Sequence, residues 1–100
     1  MIDMDDVRAK LQSVYDPEIG VNVVDLGLIY KMEEREEGSL YIEMTMTTPG
    51  CPAHDMISEN VEWAAAQASG VAMVYVDVVW DPPWSPEMMS IDARRELGFI

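Results

Sequence analysis

"TMTTPGCPAHDMI", residues 45–57, decides the fold of this 100-residue chain, because an alternating stretch ends there and a helical one begins. Upstream, Leu40, Ile42, Met44 and Met46 alternate with Tyr41, Glu43, Thr45 and Thr47, the period of a strand with one buried face. Downstream, Pro52 suits the first turn of a helix, and Ala53, Ile57, Val61, Ala64 and Ala68 form an apolar stripe that Gly70 closes. The Val-rich run 71–80 then supplies a further strand. Joined through a helix, strands 40–48 and 71–80 are expected to lie parallel.

Working outward, residues 28–35 read as an earlier strand that "EEGS" turns into 40–48, which makes that pair antiparallel. Asp3 caps a first helix, roughly residues 4–15, along which Met4, Val7, Leu11 and Val14 recur until "DPE" at 16–18 stops it. The prolines of "DPPWSP" cannot donate to a ladder, so the third strand ends before them. A last helix is expected from Ser85 as cap, with Pro86 behind it, to Leu97 and Gly98. The order α-β-β-α-β-α predicts an α+β, two-layer fold: a small mixed three-stranded sheet with helices mainly on one face. With 49% hydrophobic and 25% charged residues the chain should fold, as a single domain over residues 1–100.

The formal net charge is −13, and no Lys or Arg occurs between Arg35 and Arg94. Such a field repels phosphate backbones, which excludes nucleic acid and favours cationic ligands and basic protein surfaces. No apolar run approaches the roughly 20 residues that cross a bilayer. The start, "MIDMDDVRAK", is acidic where a secretory signal is basic, so no membrane is expected and the expected location is the cytoplasm. One Cys excludes an intrachain disulfide and a self-contained zinc ribbon.

In the predicted topology the ends of the parallel strands and the start of the antiparallel one share an edge. "DPEIGVNVVDLG", "TTPGCPAH" and "WDPPW" should therefore converge there, at the edge where open α/β sheets place ligands. Three roles stay open for Cys51 at that edge. It is a small buried hydrophobe; or a nucleophile with His54, although Asp55, Asp16 and Asp81 disfavour a second anion; or a metal ligand. Coordination deprotonates a thiol and turns the carboxylates into favourable neighbours, and sulfur beside imidazole suits iron, zinc or an iron–sulfur cluster. Cys51 and His54 are the candidate metal ligands. His54 reads equally as a solvated side chain, Asp16 and Asp25 as turn caps, Thr47 and Thr48 as ordinary strand residues. Trp80 and Trp84 read as core, lid or partner contact.

"DPEIGVNVVDLGLIY", "MTMTTPGCPAHDMI" and "VVWDPPWSPEMMSIDARRELGF" together resemble, in order and spacing over nearly the whole chain, the metal–sulfur cluster biosynthesis (iron–sulfur assembly) domain family of the SufT and PaaD-like proteins. The resemblance implies a compact α+β fold and a non-enzymatic role in iron–sulfur protein maturation. The chain would act as a carrier or adaptor that delivers clusters to apo-proteins. Carried over by motif, Cys51 matches the family's reactive cysteine, Asp16 and Glu18 its acidic pair, Thr47 and Thr48 the strand end beside it, and Trp80 the end of the third strand. Its implied cargo is an iron–sulfur cluster or iron, held transiently. Its implied partners are apo iron–sulfur clients and an assembly scaffold, with a homodimer as one way to share a cluster. PaaD-like proteins commonly add a Cys-rich C-terminal extension, and some relatives are fused to a P-loop ATPase. These 100 residues match neither, so a stand-alone SufT-like factor is expected. The alternatives are a PaaD-like accessory protein for maturing a multicomponent oxygenase, and a pure interaction module with a structural cysteine.

Overall fold

The computed structural model describes residues 1–47 and 54–98. Its elements follow in the order α1 (Met4–Leu11), β1 (Ile29–Glu36), β2 (Ser39–Met44), α2 (His54–Ala66), β3 (Met73–Val78), a 3-10 turn (Pro86–Met88) and α3 (Ile91–Glu96). The sheet order is β1-β2-β3. β1 and β2 pair antiparallel from Ile29↔Met44 to Glu36↔Ser39, and β2 and β3 pair parallel from Ser39↔Met73 to Met44↔Val78. The small mixed α+β architecture read from the periodicities is the one the chain adopts.

Period-two burial explains the layering. Leu40, Ile42 and Met44 are fully buried, against Ile57, Val61 and Ala65 of α2, Val7 and Leu11 of α1, and Val23, Leu26 and Leu28 of the long α1–β1 loop. Among the described residues the opposite face carries no helix. There the Arg35 guanidinium lies 3.6 Å from the Tyr41 ring centroid, and the Tyr41 hydroxyl lies 3.0 Å from Glu43 and 3.1 Å from Asp77. Burial and those two carboxylates push the Tyr41 pKa up to about 12.

β3 is shorter than the expected 71–80, and the boundaries differ from the sequence reading more widely in three other places, each for a local reason. α1 stops at Leu11, four residues before the expected end, because the Val14 N–H turns back to the Leu11 carbonyl and the Val14 carbonyl accepts from Val23. Val14 is still buried, reached by a turn and not by a helix. The alternation of β2 breaks at Thr45, which is buried although the pattern places it outside. Its N–H goes to the Leu28 carbonyl, so the chain leaves the strand there. The single last helix expected from Ser85 is two pieces, because Met89 and Ser90 are extended (ψ 152° and 159°) and Ser90 is the residue that caps α3, through the Ala93 N–H. Pro52 and Ala53, expected to open α2, lie outside the described residues.

One carboxylate ties the N-terminal segment to the β1–β2 turn. Glu34 accepts from the Ile2 N–H (3.0 Å) and the Gly38 N–H (2.9 Å), and these bonds hold its pKa below the ordinary value. A carboxylate depressed in the folded state stabilises fully above its unfolded pKa, about 4.5, and that stabilisation disappears as pH falls through the folded value. Glu34→Gln is therefore expected to lower the urea midpoint at pH 7, with the gap to wild type closing at pH 3. A gap that stays constant across this range would show that the charge is not what stabilises.

Candidate functional site

The α1–β1 loop is built by short side chains bonding to their own backbone. Asp16 is only 1% exposed; its carboxylate accepts from the Glu18 N–H (2.9 Å) and its carbonyl from Ile19 (3.2 Å) and Gly20 (2.7 Å). With Pro17 between them, this fixes a tight Asx turn that leaves the Glu18 side chain on the surface. Asn22 repeats the device: its Oδ1 accepts from Val24 and Asp25, and its Nδ2 donates to the Asp25 carboxylate at 2.7 Å. Buried Val21, Val23 and Leu26 press the loop onto the core, so both turns sit on a rigid base.

After β3, the segment 79–90 folds across this loop as an arm. The Trp84 indole N–H donates to the Leu26 carbonyl at 2.6 Å, the Ser90 N–H to the Asp25 carbonyl at 2.7 Å, and the Tyr30 hydroxyl to the Pro82 carbonyl at 2.8 Å. Gly27 (φ +78°) lies so close beneath the arm that a Cβ there would strike the Met88 carbonyl. Between arm and loop lies a cavity of about 340 Å³ lined by Glu18, Ile19, Trp84, Met89 and Leu97. A second, of about 560 Å³, opens beside Tyr30, Glu43, Asp81 and Pro82.

The start of α2 completes the assembly. The His54 ring meets Trp80 edge to face, centroids 5.9 Å apart and planes at 78°. The beginning of α2 and the end of β3 are thus in contact, and the α1–β1 loop is bonded to the arm that follows β3. Of the residues singled out in the sequence, Asp16, Glu18, Thr47, His54 and Trp80 are described. Asp16 is committed to its turn, Thr47 is half-buried just past β2, and Trp80 is 43% exposed. Cys51 and Thr48 lie outside the described residues, in the segment between Thr47 and His54. Among the described residues no group of three or more His, Asp or Glu is placed to hold a metal ion.

Charge at this edge is mostly negative. Asp25, Asp81 and Glu87 accompany Asp16 and Glu18, and the cations are Arg94 and Arg95 of α3. Glu87 accepts from its own backbone N–H and from Ser85, and with Arg94 nearby its carboxyl stays below the usual range. Burial raises the Tyr30 pKa, and Asp81 adds to the rise, although the Thr45 side chain facing the phenol opposes it. Thr45 Oγ1 is itself buried without a hydrogen-bond partner among the described residues. Tyr30, Thr45 and Ser90 escaped the sequence reading. Ser90 carried a usable signal, a Ser two residues before an Asp at a helix start. The other two carried none.

The bond from Trp84 to Leu26 is testable alone. Trp84→Phe keeps an aromatic ring but removes the indole N–H and strands the Leu26 carbonyl, and is expected to cost at least about 1–2 kcal/mol of unfolding free energy. An unchanged urea midpoint would mean that the arm is not anchored there.

A three-stranded mixed sheet, helices on one face and an edge where the α1–β1 loop, the arm and the start of α2 meet define a class of small α+β domains. The crystal structure of a domain of unknown function from Bacillus anthracis has the same fold, with a TM-score of 0.87 and 39% identity over 96% of this chain and 92% of that one. The chain belongs to the iron–sulfur cluster assembly protein family, whose profile matches residues 4–78. An Fe-S protein maturation auxiliary factor of Porphyromonas gingivalis is 45% identical over 96% of this chain and 91% of its own length. The Fe-S protein maturation auxiliary factor SufT of Staphylococcus aureus is 40% identical over 85% of this chain and 97% of its own.

Proposed function

We propose that this chain is an iron–sulfur protein maturation factor of the SufT kind, which carries a cluster or iron to apo-proteins, or positions one for transfer, and catalyses no covalent turnover of its own. The observation that carries the reading is the meeting of the α1–β1 loop, the arm and the start of α2, whose first residue, His54, follows Cys51 by three positions in the sequence. Membership of the family and the names of its full-length relatives support it.

In this reading Cys51 provides the thiolate, and His54, held edge-on by Trp80, stands three residues away as a second donor. The donor set fits iron. Sulfur and imidazole are matched to it in softness, and the acidic edge offsets the positive charge of the cargo. One sulfur per chain leaves the remaining coordination positions to a second molecule: a scaffold, a client or another copy. A ligand shared in this way can leave by exchange, as transfer requires. Asp16 and Glu18 shape the rim, the first through its turn and the second at the surface. Thr47, half-buried just past β2, precedes Thr48 and the cysteine in the sequence. The expected compartment is the cytoplasm, where reduced thiols persist.

The test is cluster acquisition by an apo-client from a loaded scaffold, followed anaerobically through client activity. Catalytic amounts of this protein should accelerate activation. A rate that stays the same with and without it would remove the maturation role.

A further inference from the structure

A groove on the flank of α2 is left unused by the proposed cluster chemistry. Met56, Asn60 and Trp63 recur along that flank at spacings of four and three, one stripe of a helix, while Ile57, Val61, Ala64 and Ala65 already supply the face turned to the core. Met56 is 46% and Trp63 70% exposed, so core packing accounts for neither. The opposite wall is the turn after α1, where Tyr15 is 55% exposed. Between the walls runs a groove of about 360 Å³, floored by buried Val14 and Ala64. Large aromatic side chains at the rim of a ready-formed groove have the composition of an interface anchor.

Charge selects the occupant. α2 carries Asp55, Glu59 and Glu62 and no Lys or Arg, and Glu59 stands one turn before Trp63. In the last turn of α1, Lys10 is engaged with Asp6. A second copy, also at −13, would be repelled, whereas a basic segment is attracted and steered. Position gives the groove a direction. Tyr15, which lines the groove, immediately precedes the Asp16 turn, and Met56 lies one turn beyond Asn60 toward His54, so a segment along the groove ends beside the α1–β1 loop.

We propose that this groove docks a segment of a partner protein that presents a bulky apolar side chain flanked by Lys or Arg. If the maturation reading holds, that partner is the client or the scaffold, and the groove brings it to the cargo. The docking itself requires no sulfur, so it is separable from the cluster chemistry.

The test is titration of the full ¹⁵N-labelled chain with a synthetic helical peptide bearing Leu and Phe on one face and Lys and Arg beside them. A control peptide has Glu in place of the Lys and Arg. Amide shifts are expected at residues 13–15 and 56–67 with the basic peptide only, and Trp63→Ala should weaken binding about tenfold. Glu59→Lys should weaken it several-fold, and Cys51→Ser should leave it unchanged. Because the Trp63 ring is exposed, Trp63→Ala should melt near wild type, and Glu59→Lys provides the same comparison with the ring in place. The proposal is overturned by shifts that map elsewhere, by equal binding of the acidic peptide, or by silence at about 1 mM peptide, a limit that reaches binding free energies near −4 kcal/mol. Self-association that Trp63→Ala abolishes would assign the groove to a second copy and overturn it as well.

Discussion

Gly27→Ala is expected to lower the melting temperature by about 10–30 °C. The residue holds φ +78°, and forcing a side chain into that region costs about 1–3 kcal/mol. The added methyl would also strike the Met88 carbonyl, which is backbone and cannot rotate away. Together these put the loss at about 2–4 kcal/mol, and in a domain of this size each kcal/mol moves the midpoint by about 4–8 °C. The arm yields first, so the emission of Trp84, whose indole is bonded to Leu26, should shift toward that of a solvated indole below the main transition. Gly20→Ala is the matched control. Its φ of +82° is equally unfavourable, but nothing lies within 4 Å of the added Cβ, so it should lose only about 1 kcal/mol. Equal losses in the two variants would mean that the fit of arm to loop contributes nothing.

Cys51→Ser should reduce acceleration of client activation by at least about tenfold. A serine hydroxyl stays protonated at neutral pH and is a poor soft-metal ligand, whereas a metal-bound cysteine is a thiolate. The melting temperature of the same variant separates loss of the ligand from loss of the fold: acceleration lost with melting near wild type is the expected result. Full acceleration by Cys51→Ser would leave only an adaptor role. His54→Ala should have a smaller effect on the same assay, together with a loss of Trp80 ring contact visible in near-ultraviolet circular dichroism.

What was legible in the sequence was whatever had a period. β2 and α2 show their buried faces as alternation and as a stripe, and the short Glu-rich turn between β1 and β2 fixes one antiparallel pair. The parallel pair and the shared edge follow from those assignments. What failed was decided by contacts between distant residues. The last helix splits because the Ser90 N–H goes to the Asp25 carbonyl, 65 positions earlier, and no local pattern announces that bond. α1 ends early because Val14 gives its carbonyl to Val23. His54 read as a solvated side chain or a ligand, and its contact with Trp80 joins residues 26 apart. Asp16 shows the reverse: a carboxylate marked by the acidic-pair motif is occupied in holding a turn, so of the two acids Glu18 is the one at the surface. Trp63 lies off the apolar stripe that marks the core face of α2, and its groove was hidden because the second wall, the turn after α1, meets α2 only in the fold.

The account rests on iron or a cluster being held at the sulfur of Cys51. Anaerobic reconstitution with ferrous iron and sulfide, read as the visible absorption spectrum, tests that most directly. Wild type should develop sulfur-to-iron charge-transfer bands that are absent from Cys51→Ser and that fade as apo-client is added. Wild type and variant remaining equally colourless, or equally coloured, would contradict it.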